Sequence, residues 1–492
     1  MNRRPPVTSR RDFLKYLSFA GGSLAVGDMG AIFTFKDSAT PEMVGDILKQ
    51  RIKGKLVKDH LLVEEFKTDF GRIIHKEPRL IVVPENDEDI RTIFQVAAKY
   101  QVPVSLRGAG HTCYGQSLSD GGILLVNKRE IPDITMEGGQ VWVHSSTQWF
   151  ALEKKLNEQN LTSPVLTDYL NLTLGGTLSV GGYGLRSFQH GAQVDNISEM
   201  ELLLPDGSRT RCSPQENSDL FRYALCGLGQ LGFISKVKIK PIQYRQFTSV
   251  FYVLCTSVKD FIKGVKAILH PDFIQEIDHF SSYWLNGSFI IEIGKSFSEE
   301  NTTEQEALKK KVQSQVAFYK NAVIKDYHLY LHKVRDNWVE RYGISHHVWE
   351  DYIFGIEQLE EFLNQAITTT KIGHFQNILP ALYIVACDTA ETGGIPFSPT
   401  YGSTSKMVYS VGFYYMVKYG EAKQLQTAED HHKQYMRSCL DLKGRPYLYG
   451  WHGLSEEQKN QFYGADYLKL KALKKQYDPQ HILNPGVFVE NV

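Results

Sequence analysis

What this sequence lacks narrows its function first. Lys plus Arg and Asp plus Glu stand at 55 each, so the formal net charge is +0. Without a basic excess nothing meets a phosphate backbone, and nucleic acid is not an expected partner. Cysteine is scarce: six residues, at 113, 212, 226, 255, 387 and 439, with no C-x-x-C pair and no metal-ligand spacing. That scarcity excludes a disulfide framework and a zinc site, and the six read as mostly buried thiols. No internal repeat or long low-complexity tract is present. No stable membrane span is expected either, because the moderately apolar residues 16–35 contain several glycines and are broken by Asp28.

What remains is a globular protein of 492 residues, long enough for two domains. Its 26 Tyr and 26 Phe are a generous aromatic supply, mostly core, with some available to line a pocket for a flat ligand.

The N-terminus reads as an address. Ser9-Arg10-Arg11-Asp12-Phe13-Leu14-Lys15 resembles the twin-arginine export signal, S-R-R-x-F-L-K. That likeness implies export of an already folded protein, commonly with its cofactor installed, to a periplasmic or secreted location. A plain basic tail is the alternative. No A-x-A site precedes Thr40, so a cleaved signal and a retained anchor both stay open.

Residues 40–75 read as a helical lead-in. Leu80-Ile81-Val82-Val83 is a short apolar strand closed by Pro84. Ile90, Ile93, Phe94 and Ala97 then recur at i, i+3, i+4, i+7, the apolar face of a helix over 87–100. Residues 102–106 form a second strand, which runs into Arg107-Gly108-Ala109-Gly110-His111. Further on, residues 199–204 are a strand turning at Pro205-Asp206-Gly207, followed by a helix near 217–226 and a strand near 233–240. After about 245 the alternation blurs, and the polar stretch 297–311 is assigned to the surface. A helix over 467–476 leads to Tyr477-Asp478-Pro479. The expected division is a signal region over 1–40, a cofactor unit over 41–244, a substrate unit over 245–440, and a return to the cofactor unit over 441–492.

Three glycine-rich segments compete for the chemistry. Gly227-Leu228-Gly229-Gln230-Leu231-Gly232 satisfies G-x-G-x-x-G, but a helix precedes it and a strand follows, the reverse of a nicotinamide fingerprint. Close packing at a helix-to-strand turn is the better reading. The loop from Arg107 to Gln116 leaves a strand and can present successive amides to an anionic diphosphate. The loop from Leu166 to Gly184, with Asp168, Thr173, Ser179 and Tyr183, can approach the same ligand from another side. Taken singly, either could be a structural turn, and His111 a core histidine.

Together these residues resemble the FAD-binding unit of the vanillyl-alcohol-oxidase/p-cresol-methylhydroxylase superfamily. The resemblance rests on Pro78-Arg79 through Pro84, the helix after it, Val102-Pro103-Val104 and R-G-x-G-H. Within that superfamily the sequence is most similar to cytokinin dehydrogenases. The similarity is carried by Gly110-His111-Thr112 with Gly115-Gln116, Thr167-Asp168-Tyr169-Leu170, Phe188-Gln189-His190-Gly191-Ala192-Gln193, Tyr447-Leu448 and Tyr477-Asp478-Pro479. It covers residues 75–240 and the tail from about 440, and is weak between.

The resemblance implies an α+β fold: a two-subdomain FAD-binding unit with an α+β substrate, or cap, domain. It implies FAD bonded to His111, and no cysteine lies between Pro164 and Ser179 to form a second link. It implies a cofactor shell of Gly108, Ala109, Gly110, Thr112, Gln116, Asp168, Thr173, Ser179, Tyr183, Ile234, Tyr447 and Asn484. Asp168 would take a proton from a substrate amine while hydride leaves the adjacent carbon, giving an imine that water hydrolyses. The alternative for Asp168 is a turn-capping loop aspartate.

One departure stands out. Many plant members carry a glutamate where this sequence has Ser281, with Glu276, Asp278 and Glu292 as the candidate substitutes. The expected function is thus oxidation of a cytokinin-like N6-substituted adenine, with a quinone-like compound or oxygen as electron acceptor. Oxidation of an alcohol or sugar hydroxyl on the same scaffold is the second reading. A periplasmic flavin electron carrier is the third, disfavoured because a carrier needs no base. Tyr401, Tyr409, Phe413, Tyr414, Tyr415 and Trp451 could sandwich a planar substrate, although such alternation more often marks a strand core.

Overall fold

The computed structural model describes residues 40–489, apart from 129–131, 286, 299–301, 316–317, 325–344, 371–381 and 390–394. The arginine-pair motif at 9–15 lies outside the described residues.

The apolar run Leu80–Val83 becomes a strand, and the i, i+3, i+4 pattern after it becomes the helix Asp87–Tyr100. The Asn86 side chain caps that helix by accepting from the Asp89 amide, and Asp87, Glu88 and Asp89 complement the positive end of its dipole. Ile90, Ile93, Phe94 and Ala97 are fully buried beneath it. The strand Val104–Arg107 follows. These elements build a four-stranded sheet ordered Lys55–Leu56, Leu80–Val83, Ile123–Val126, Val104–Arg107. Its first pair is antiparallel and the rest parallel.

A second sheet is antiparallel and five-stranded: Ile134–Glu137, Gln140–His144, Phe233–Ile239, Ile197–Leu203, Arg209–Cys212. Asp87 joins the two units. Its carboxylate lies 3.0 Å from His144 Nε2, accepts from Arg209 at 2.9 Å, and accepts from the Ser235 hydroxyl at 2.5 Å.

The third sheet is antiparallel and eight-stranded, ordered Phe318–Ile324, Phe247–Cys255, Ser288–Phe297, His279–Leu285, Leu382–Asp388, Met407–Lys418, Ser345–Phe354, Arg445–Pro446. The helices Val258–Ile268, Ile356–Thr370 and Ala422–Asp441 pack around it. The fold is therefore a two-sheet unit with a second α+β unit, as the sequence implied.

Some local expectations are corrected. The lead-in is not wholly helical: the helices Pro41–Arg51 and His60–Phe66 flank a strand, and residues 68–75 turn back on themselves through a Thr68–His75 bridge. The polar stretch after 297 contains the helix Thr302–Gln315, which buries Leu308 and Val312. The last helix runs over Glu456–Tyr477, beginning well before 467, with a break at Gly464. All six cysteines are buried free thiols.

The tail is woven into the first sheet. Val104 donates to the Ile482 carbonyl at 2.7 Å, and Asn484 donates to the Val104 carbonyl at 2.8 Å. Asn484 Oδ1 accepts from the Leu106 amide at 2.8 Å, and its Nδ2 donates to the Leu228 carbonyl at 2.9 Å.

Candidate active site

A cavity with about 260 Å³ of water-accessible space opens between the two-sheet unit and one face of the eight-stranded sheet. Gly108, Ala109, Gly110, His111, Thr112, Gln116, Asp168, Thr173, Ser179, Tyr183, Ile234, Tyr447 and Asn484 all line it. The residues named for the cofactor shell are thus brought to one place.

The loop 108–112 leaves the C-terminal end of the Val104–Arg107 strand. Among the described residues its five successive amides donate to no protein acceptor. Unspent amides at a cavity wall, with the hydroxyls of Thr112, Ser117, Thr173 and Ser179 nearby, suit a diphosphate. Glycine is required by close approach: a Cβ on Gly108 would lie 2.2 Å from Thr173 Oγ1. The G-x-G-x-x-G segment is the helix-to-strand turn expected, but packing is not its whole role. Leu228, Gly229 and Gly232 also line the cavity, and Gly229 adopts φ +67 against Asn484. These features fit a dinucleotide cofactor.

His111 is half-buried, and its ring stacks on Phe70 at 3.9 Å with a 13° interplanar angle. Burial pushes the imidazole down to about 4, so it is neutral at physiological pH. Asp168 sits in a segment pinned to the start of the Trp149–Asn157 helix, where Trp149 and Phe150 donate to the Leu172 and Leu170 carbonyls. Among the described residues it is the only carboxylate lining the cavity. Tyr383 donates its phenol to Asp168 and accepts from the Ser281 hydroxyl; burial pushes that phenol well above its ordinary range.

Of the three acids that could replace the missing glutamate, Glu276 pairs with Lys311 at 2.8 Å on the surface. Asp278 accepts from the Ser296 amide at 2.7 Å. Glu292 is buried and lies directly opposite Ser281 across the sheet.

Several lining residues were not anticipated: Trp349, Tyr383 and Tyr449. Behind them lies Asp351, fully enclosed. Its Oδ1 accepts from Tyr183 at 2.6 Å and Tyr414 at 3.1 Å, and its Oδ2 accepts from Tyr449 at 2.7 Å. Burial raises its carboxyl, and these hydroxyls pull it back down. Two adjacent acids, Glu350-Asp351, inside the apolar strand V-W-E-D-Y-I-F were the available signal. Of the six aromatics considered for a sandwich, only Tyr414 lines the cavity. Phe413, for one, stacks on Tyr435 at 4.2 Å in the core.

Comparison with known proteins finds flavoenzyme relatives. Residues 78–213 match the model described as "FAD binding domain", and residues 394–489 match "Cytokinin dehydrogenase 1, FAD and cytokinin binding". These matches support an FAD oxidoreductase similar to the vanillyl-alcohol-oxidase/p-cresol-methylhydroxylase superfamily. Within that superfamily its likeness is to cytokinin dehydrogenases. It is 33% identical to cytokinin dehydrogenase 3 of Arabidopsis thaliana over 210 residues, a match spanning 41% of this protein and 40% of that one. An uncharacterised oxidoreductase of the fasciation locus of Rhodococcoides fascians is 25% identical over 439 residues, covering 85% of this protein and 95% of that one. The solved structure of glucooligosaccharide oxidase from Acremonium strictum shares the fold, with a TM-score of 0.70 at 17% identity over 91% of this protein and 99% of that one. The FAD of that oxidase is a 6-S-cysteinyl, 8α-N1-histidyl FAD.

Proposed function

We propose that this flavoenzyme oxidises the C–N bond joining the N6 substituent to a cytokinin-like adenine, the resulting imine being hydrolysed to adenine and an aldehyde. Asp168 carries this reading, as the one cavity-lining carboxylate among the described residues, set in T-D-Y-L. FAD, when bound, would supply the two-electron oxidising power for the C–H bond beside the amine. Asp168 receives the amine hydrogen bond and then the proton, a role typically worth ~10²–10⁴ in rate. Tyr383 orients the carboxylate and is itself fixed by Ser281. Tyr169, Trp349 and Tyr414 offer ring surface to a flat purine. The match of residues 394–489 to a cytokinin-binding model supports this substrate class.

The cofactor is held by the amides of 108–112 and by a single covalent bond to His111. A neutral imidazole nitrogen is a competent nucleophile, and the histidyl FAD of glucooligosaccharide oxidase supports this link. The acceptor that reoxidises the flavin is a quinone-like compound or oxygen.

Oxidation of an alcohol or sugar hydroxyl is the second reading. It is favoured by Tyr449, a cavity-lining phenol bonded to the buried Asp351 carboxylate and so able to relay a proton from a hydroxyl. Anaerobic bleaching of the flavin absorbance separates the two. N6-isopentenyl-type adenines should bleach it at micromolar to millimolar concentration, while simple amines, alcohols and oligosaccharides should not. Bleaching by a sugar or alcohol alone would overturn the adenine reading.

A further inference from the structure

Residues 68–72 form a bracket that touches both halves of the molecule. On one side, Phe70 donates to the Gly110 carbonyl at 2.9 Å and Gly71 to the Thr112 carbonyl at 3.0 Å. Asp69 Oδ2 accepts from the Thr112 hydroxyl at 2.8 Å and the Gly115 amide at 2.7 Å. On the other side, the His347 amide donates to the Gly71 carbonyl at 2.9 Å, and His347 Nδ1 donates to the Phe70 carbonyl at 2.6 Å. There is no slack, since a Cβ on Gly71 would lie 2.4 Å from the Cys113 carbonyl oxygen.

Within this bracket three rings lie nearly parallel. Phe70 is sandwiched between His111, at 3.9 Å and 13°, and His347, at 4.1 Å and 6°. One face of the His111 ring is thus covered by Phe70, with Tyr169 tilted against the ring at 5.2 Å, while the residue lines the cavity. Histidine otherwise rotates about two side-chain bonds, and a nucleophile free to rotate loses the advantage of orientation.

We propose that Phe70, backed by His347, is a positioning residue for covalent attachment of the flavin to His111; the proposal rests on the reading of His111 as the attachment site. The bond formed joins an imidazole nitrogen to the flavin 8α carbon. One imidazole N–H and one 8α C–H are lost. Their two electrons and two protons reduce the flavin, which passes them to a two-electron acceptor such as dioxygen. Phe70 takes no part in the bond changes; it holds the ring in the plane from which the nitrogen reaches the carbon.

The test follows the ratio of acid-precipitable to total bound flavin in freshly purified holoprotein, sampled during incubation in air. Wild type and His111→Ala address the attachment itself: the wild-type pellet should be yellow and the alanine pellet colourless. A colourless wild-type pellet would overturn the attachment reading, and the positioning role with it. Phe70→Leu keeps apolar bulk without a ring; it should slow covalent capture at least tenfold while total bound flavin stays within twofold. Phe70→Tyr should restore the wild-type rate. A leucine variant that links its flavin at the wild-type rate would overturn the proposal. So would loss of total flavin and covalent flavin in equal proportion, the pattern of a merely structural residue. If Phe70→Leu yields no folded protein, His347→Ala decides. It removes the outer ring and leaves Phe70 in place, and unchanged capture in that variant overturns the proposal.

Discussion

Tyr449 and Asp351, 98 residues apart in sequence, are joined by a phenol-to-carboxylate hydrogen bond of 2.7 Å. The same carboxylate gathers Tyr183 and Tyr414, so one buried acid sets three phenols along the cavity wall. For an amine substrate these phenols shape the pocket and take no proton. Tyr449→Phe should then lower the reductive rate less than tenfold, about 1 kcal/mol, the worth of one ordinary hydrogen bond. A loss of a hundredfold or more at unchanged flavin content would move the base from Asp168 to Tyr449 and favour a hydroxyl substrate. Stopped-flow reduction of the flavin reads either result.

Asp168→Asn is the complementary variant. The amide is nearly isosteric, so flavin content and the visible spectrum should match wild type. The reductive rate should nevertheless fall by roughly 10²–10⁴. Flavin content and stability dropping together, with turnover per bound flavin unchanged, would make Asp168 a structural loop residue.

These two acids also differ in how legible they were. Asp168 and His111 stand in short motifs, where a few consecutive residues define a loop and its chemistry. Asp351 is placed by pairing of the Ser345–Phe354 and Met407–Lys418 strands, which sets it opposite Gly412 and within reach of Tyr414. Nothing local encodes that register. Phe70 was hidden for a related reason. It lies in a segment whose composition reads as helix, and its turn is imposed by contacts with His111 and His347, at positions far along the sequence. The parallel unit around Leu80–Val83 was the easiest to foresee, because a short apolar run closed by Pro84 and the i, i+3, i+4 spacing after it are both local signals.

Asp69 gives a pH signature. Burial raises its carboxyl from 3.8 to about 6, opposed by hydrogen bonds from Thr112 and Gly115 and by the Arg107 charge. With the folded value above the unfolded one, the protonated form contributes stability fully below about pH 4. That contribution is lost as pH rises through about 6. The stability of Asp69→Asn relative to wild type should therefore rise by on the order of 3 kcal/mol between about pH 4 and pH 6.5, then level off. Denaturant unfolding of both holoproteins across that range checks it, and a flat difference would refute the buried-carboxyl argument.

Export through the Ser9–Lys15 motif is a further proposal. A reporter carrying residues 1–40 should leave the cytoplasm, and changing Arg10→Lys together with Arg11→Lys should keep it inside. Fractionation that finds the doubly changed reporter still exported would remove the twin-arginine reading.

Asn484 is among the last residues made, yet it closes the root of the glycine loop. The glycine loop emerges early from the ribosome, but the Leu106 amide at its root and the Leu228 carbonyl opposite find their partner only when residue 484 arrives. At ~5–20 residues per second, that leaves the loop open for on the order of tens of seconds. A polypeptide terminated soon after Asp478 keeps His111 and Asp168 yet lacks the one side chain that stitches the Leu106 amide to the Leu228 carbonyl.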